Sequence, residues 1–178
     1  GNQIKIVGVN GNIGVAGDVI SERVLKINAD GTIVTNKTQA KEAMEVKAKE
    51  FTQNTSTYTE GNLTIDADKV TLKGNGTQAG NILITGDLEN EVNIYSGNDI
   101  NIGKGLVNKS GQIVTERNIS INGKTDNKDL LYAKNNITIG KELNNTGNVQ
   151  SNGSIKTGGN TTNTGKILSA KELEINGK

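Results

Sequence analysis

Residues 137–157 read ITIGKELNNTGNVQSNGSIKT. Alternate positions carry the pattern: Ile137/Ile139, Leu143/Asn145, Val149/Ser151, then Ile155/Thr157, which begins the cycle again 18 residues after Ile137. Period 2 is the strand signature, because successive side chains leave the backbone on opposite sides. Three such segments and three short connections in 18 residues leave no room for a helical crossover. The chain must coil, each strand pairing in parallel with its equivalent one turn away.

The same spacing runs along the whole sequence. Pairs at Ile4/Ile6, Leu25/Ile27, Met44/Val46, Leu63/Ile65, Ile82/Ile84, Ile100/Ile102, Ile119/Ile121, Ile137/Ile139, Ile155/Thr157 and Leu173/Ile175 recur at steps of 18 to 21 residues. Units this short cannot bury a core alone, so each must lean on its neighbours, as in a solenoid. A second register runs through Ile33, Phe51, Val70, Leu88, Leu106, Thr125, Leu143 and Thr161. Two residues after each of these stand Thr35, Gln53, Leu72, Asn90, Asn108, Asn127, Asn145 and Asn163. A third runs through Val19, Thr38, Thr57, Gly76, Ile94, Ile113, Leu131, Val149 and Ile167. The expected fold is all-β, a three-sided parallel β-helix of about ten turns at 18–19 residues per turn. Nine steps of about 4.8 Å make a rod of roughly 43 Å.

Three local expectations follow. Asn90, Asn108, Asn127, Asn145 and Asn163 should point inward at one corner, where a lone amide is costly but a stack of amides is mutually satisfied. Lys41 to Phe51 is rich in helix formers, yet Met44/Val46 keeps the register, so strand wins over helix. Residues 8–19 fall in the longest step and should bulge or carry an extra loop. Glycines such as Gly86, Gly103, Gly111, Gly123, Gly140, Gly147, Gly158, Gly165 and Gly177 are expected at corners, where positive φ is tolerated. Residues 1–60 read as less regular and 61–178 as regular repeats of one domain. The pattern already runs at Gly1, so the chain is expected to be a piece of a longer repeat protein.

Composition removes several functions. The net charge is +1, with 20 Lys and Arg against 19 Asp and Glu, so no basic footprint for nucleic acid exists. There is no Cys and no His, which removes disulfides, thiolate metal sites and the commonest general base. Aromatics are 2% of the chain, leaving little to stack on bases or sugars. No stretch approaches the length of a membrane span. No membrane insertion and no nucleic-acid partner are expected.

Candidate chemistry is sparse. Acid pairs occur at Asp66/Asp68, Glu89/Glu91 and Asp126/Asp129, but at different places in the repeat, whereas Ca²⁺ needs six to eight converging oxygens. The two arginines, Arg23 and Arg117, lie about five turns apart. The glycine-rich runs Gly74–Gly80 and Gly103–Gly105 lack the P-loop ending GK[ST] and read as corners. Sequons at Asn62, Asn118 and Asn136 match N-x-[ST] through repeat composition. Outward positions of the first strand (Lys5, Lys26, Glu45, Thr64, Leu83, Asn101, Ser120, Thr138, Lys156, Glu174) are mostly polar and read as a solvated face. No catalytic, cofactor-binding or metal site is assigned, and no cofactor is expected.

The runs Gly105–Lys124 and Glu142–Lys178 resemble the haemagglutinin repeat of filamentous haemagglutinins, approximately L-x-N-x-G-x-Φ-x-[SA]-x-x-x-Φ-x-Φ. Leu143, Asn145, Gly147, Val149, Ser151 and Ile155 match it, as do Leu106, Asn108, Gly111, Ile113, Thr115, Ile119 and Ile121 with one insertion. The resemblance is clear over residues 61–178 and weaker before. It implies a right-handed parallel β-helix in an exoprotein of a Gram-negative bacterium, secreted through an outer-membrane partner and displayed at the cell surface. Adhesins and the shafts of contact-dependent inhibition toxins belong to that family. The family's N-P-N-type secretion turn is missing, since the chain has no Pro. The expected role is a non-catalytic structural and adhesive segment contacting a host-cell or bacterial surface receptor or glycan. The alternative is the shaft of a toxin-delivery protein, and a carbohydrate-active β-helix enzyme is the third reading.

Overall fold

The computed structural model describes residues 3–177; Gly1, Asn2 and Lys178, the ends of the repeat read above, lie outside the described residues. The chain is a parallel β-helix of about nine turns. One face is a ten-stranded parallel sheet, from Gln3–Gly8 through Val24–Ala29, Ala43–Lys47 and their successors to Leu173–Ile175. Its rows are the Φ-x-Φ pairs: Ile4 opposes Leu25, Leu25 opposes Met44, Met44 opposes Leu63, and the register holds to Ile155 against Leu173. Lys41 to Phe51 is strand, not helix: Ala43–Lys47 and Glu50–Thr59 are both extended. Long-range pairing and burial of Met44 and Phe51 outweigh the few tenths of a kcal/mol per residue, roughly, that favour a helix.

The second and third faces form one sixteen-stranded sheet. They are continuous because Thr32–Ala40 and Glu50–Thr59 run unbroken through the corner between them. Later turns break there into strands of three or four residues, such as Leu106–Asn108 and Ile113–Thr115. In such a turn six side chains point inward, Leu106, Asn108, Ile113, Thr115, Ile119 and Ile121, and all are buried.

Two details correct the sequence reading. The third register passes through Thr77, not Gly76: Thr77 opposes Thr57 and Ile94, and Gly76 opposes Ser56. That turn reaches Ile82 one residue sooner than the others. The long first step bulges as expected, and at one corner: strand ends at Gly8 and resumes at Ile13, nine residues after Ile4, whereas Leu143 follows Ile137 by six; Ile13 then opposes Ile33 and Val19 opposes Thr38. Finally, among the described glycines only Gly74, Gly76 and Gly111 have positive φ. Most corner glycines answer a different need. A Cβ on Gly86 would lie 2.0 Å from the carbonyl oxygen of Ala67, and one on Gly140 2.5 Å from that of Asn122. Glycine lets each corner settle onto the corner below.

The inward asparagines form the expected ladder. Each Nδ2 donates to the next Oδ1, from Asn90 to Asn108 at 2.9 Å, Asn108 to Asn127 at 2.9 Å, Asn127 to Asn145 at 2.8 Å and Asn145 to Asn163 at 2.7 Å. Four of the amides also donate to the carbonyl two residues on: Val92, Asp129, Gly147 and Gly165. An inward Asn therefore ends its strand, turns the following carbonyl inward and satisfies it. At the next corner hydroxyls do similar work: Ser96 Oγ donates to Gly80 O at 3.0 Å, and Ser169 Oγ to Gly153 O at 2.8 Å.

Candidate functional site

With the interior committed to stacking, only outward rows can meet a partner. The first face carries the ten residues from Lys5 to Glu174. Lys26 pairs with Glu45 at 2.8 Å and Lys156 with Glu174 at 3.0 Å, and exposed Leu83 is its one apolar member past Lys5. It is a solvated face of mixed charge.

The second face presents Glu89, Val107, Asp126 and Asn144 in one row. A hollow of about 360 Å³ surrounds Val107, walled by Lys69, Asp87, Glu89, Lys124 and Asp126. Lys109 bridges Glu89 and Glu91, the latter at 3.3 Å. Its ammonium holds Glu89 below the usual carboxylate range, and the two carboxylates hold the Lys109 ammonium above its ordinary value.

The acid pairs are spent on such contacts. Asp66 accepts from Thr85 at 2.9 Å, Asp68 pairs with Lys104 at 3.4 Å, Asp126 accepts from Asn144 at 2.7 Å, and Asp129 accepts the Gly111 amide at 2.9 Å. Among the described residues no three acidic side chains converge as a metal site would require. Arg23 is bound to Glu42 at 2.7 Å. In the glycine-rich runs the amides are already engaged: Gly105 N donates to Asp87 at 2.8 Å, and Gly80 N to Gly61 O at 2.7 Å. The sequon asparagines prove to share one outward ladder, half-buried at Asn118. Asn62 Oδ1 accepts from Asn81 at 2.9 Å, Asn118 donates to Asp99 at 2.9 Å, and Asn136 Oδ1 accepts the Ser154 amide at 2.9 Å.

The third face differs from both. Its outward row runs Ile20, Gln39, Tyr58, Gln78, Tyr95, Val114, Tyr132, Gln150, Leu168. It contains no charged residue and all three tyrosines of the chain. Ile20, Tyr95 and Leu168 are exposed. A shallow groove of about 300 Å³ lies between Tyr58 and Tyr95, over Gln78, where Gly76 leaves the wall low. Two of the phenols are anchored at their tips: Tyr95 Oη donates to Glu116 at 3.4 Å and Tyr132 Oη accepts from Asn152 at 2.9 Å. Composition hid this row, because a low aromatic average says nothing of placement. The available signal was that Tyr58, Tyr95 and Tyr132 are each 37 residues apart, two turns of the coil.

No protein-family model, no curated protein and no solved structure matches the chain.

Proposed function

We propose that this chain is a non-catalytic structural and adhesive segment of a secreted bacterial surface protein, exported by an outer-membrane partner in the manner of the filamentous haemagglutinins its repeats resemble. One observation carries the reading. The regular residues of every turn are consumed by stacking, and the acids, amides and glycines that could have served chemistry are bound to one another between turns. What remains is a long stiff coil with repeating outward rows, suited to display and multipoint contact with a cell-surface receptor or glycan.

The test is attachment of the isolated 178-residue chain to host cells and to a glycan array. Saturable attachment competed by unlabelled protein is the expected result. Absence of attachment at high concentration would overturn the adhesive part and leave a shaft whose binding function resides in another domain, as in a toxin-delivery protein. Release of reducing ends from a polysaccharide, with or without Ca²⁺, would overturn the non-catalytic part.

A further inference from the structure

Within that adhesive reading, we infer that the third face is a binding track for an extended, uncharged β-1,4-linked polysaccharide, with Tyr58, Tyr95 and Tyr132 as its stacking platforms.

Three observations converge. The first is concentration. The chain has three Tyr, one Phe and no Trp, and Phe51 is buried. Every aromatic ring on the surface therefore stands in one outward row. Tyrosine on a solvated sheet face offers a flat apolar ring with a polar tip, suited to the apolar face and hydroxyl rim of a pyranose. The second is spacing. Tyr58 and Tyr95 are separated by one strand, bearing Gln78, and Tyr95 and Tyr132 by one strand, bearing Val114. Two strand separations are about 9.6 Å, close to the length of one disaccharide unit in an extended β-1,4-linked chain. In such a chain every second sugar presents the same face, so successive equivalent faces would meet successive tyrosines. A coiled α-1,4-linked chain of the same sugar cannot hold that period.

The third is neutrality. The first face carries lysines and glutamates in its row and the second has Glu89 and Asp126, but the third row has no ionised side chain. Beside it, Glu116 pairs with Lys134 at 3.0 Å and Asp18 with Lys37 at 3.5 Å. Gln78 and Gln150 add amide donors and acceptors for sugar hydroxyls at an uncharged surface. The groove between Tyr58 and Tyr95 gives this row a bounded seat. Nucleic acid and anionic glycans would find no cation within the row itself.

The chain contains no tryptophan, so its intrinsic emission reports these three tyrosines directly. Titration with cellohexaose should give a saturable change in that emission. Maltohexaose should bind at least about tenfold more weakly, and Tyr95→Ala should weaken cellohexaose by about tenfold, the loss of roughly one stacking contact. Tyr95→Phe should stay within about threefold because the ring is kept. Lys156→Ala, on the first face, should bind as the parent does. Unchanged far-ultraviolet circular dichroism accompanies each variant, since Tyr95 lies outside the core.

The inference is overturned if cellohexaose produces no saturable change, if maltohexaose binds equally, or if Tyr95→Ala binds as tightly as the parent. Attachment to cells without response to cellohexaose would remove this track and leave the adhesive reading standing. Response to cellohexaose without attachment to cells would do the reverse.

Discussion

The turns built on residues 24–59 and those built on residues 87–163 have the same three registers and yet differ at one corner. In the first region the second and third faces are one bent ribbon, because Thr32–Ala40 and Glu50–Thr59 pass through the corner without a break. In the second region the faces are separate short strands. The difference maps onto one inward position. Thr35 and Gln53 occupy it early, Leu72 in the intermediate turn, and Asn90 to Asn163 afterwards. Gln53 is too long to cap its own corner and reaches instead to Lys73 O at 3.0 Å and to the Thr77 hydroxyl at 2.8 Å. Asn is the right length to bond both the amide above and the carbonyl two residues on. A sharp corner is therefore a property of the side chain stacked inside it.

That comparison can be broken by substitution. The largest effect is expected at Gly111, which combines a φ of 87° with a Cβ position 2.2 Å from Val92 O. Gly111→Ala should cost roughly 4 kcal/mol, strain and overpacking together. Gly14→Ala, in the first turn, meets nothing within 4 Å and should leave the urea midpoint almost unmoved.

Next comes the ladder. Asn127→Ala removes the ladder partner of the Asn108 side-chain amide and of Asn145 Oδ1 in the interior and should cost roughly 3 kcal/mol by urea unfolding. The converse is expected where the hydroxyls of Thr35 and Thr125 are buried without a hydrogen bond among the described residues. Thr35→Val and Thr125→Val should each stabilise by about 1 kcal/mol, in both regions alike. Equal loss at Asn127 and Thr35 would deny that the amide ladder distinguishes the regions.

The smallest effect is electrostatic. Glu89 titrates below its ordinary value of 4.5 because Lys109 donates to it. A depressed carboxyl stabilises the fold above its unfolded pKa and loses that contribution as pH falls through the folded one. Lys109→Met should therefore be slightly less stable than the parent at neutral pH, with the difference vanishing on acidification below the carboxylate range. A difference that persists in acid would assign the effect to packing of the lysine stem.

The rows of the interior were legible from spacing because period 2 and period 18 are written in residue type, and the Asn ladder followed from identical residues recurring in one register. Gly76 against Thr77 was not legible: a corner shortened by one residue shifts register without changing composition. The role of the corner glycines was misjudged for a related reason. Sequence shows that a side chain is absent, while only stacked backbones show that Ala67 O or Asn122 O occupies its place. The outward acids could be recognised as dispersed, but not paired, since Lys109 and Glu89 are 20 residues apart. The tyrosine row was written plainly in the numbering and obscured by averaging.

The central claim is that stacked amides hold the later turns and leave the earlier ones to other contacts. Hydrogen exchange resolved along the chain, comparing the parent with Asn127→Ala, tests it most directly. Protection should fall across residues 106–163 and remain at its parental level across 24–59. A uniform loss along the coil, or no loss near Asn108 and Asn145, would contradict it.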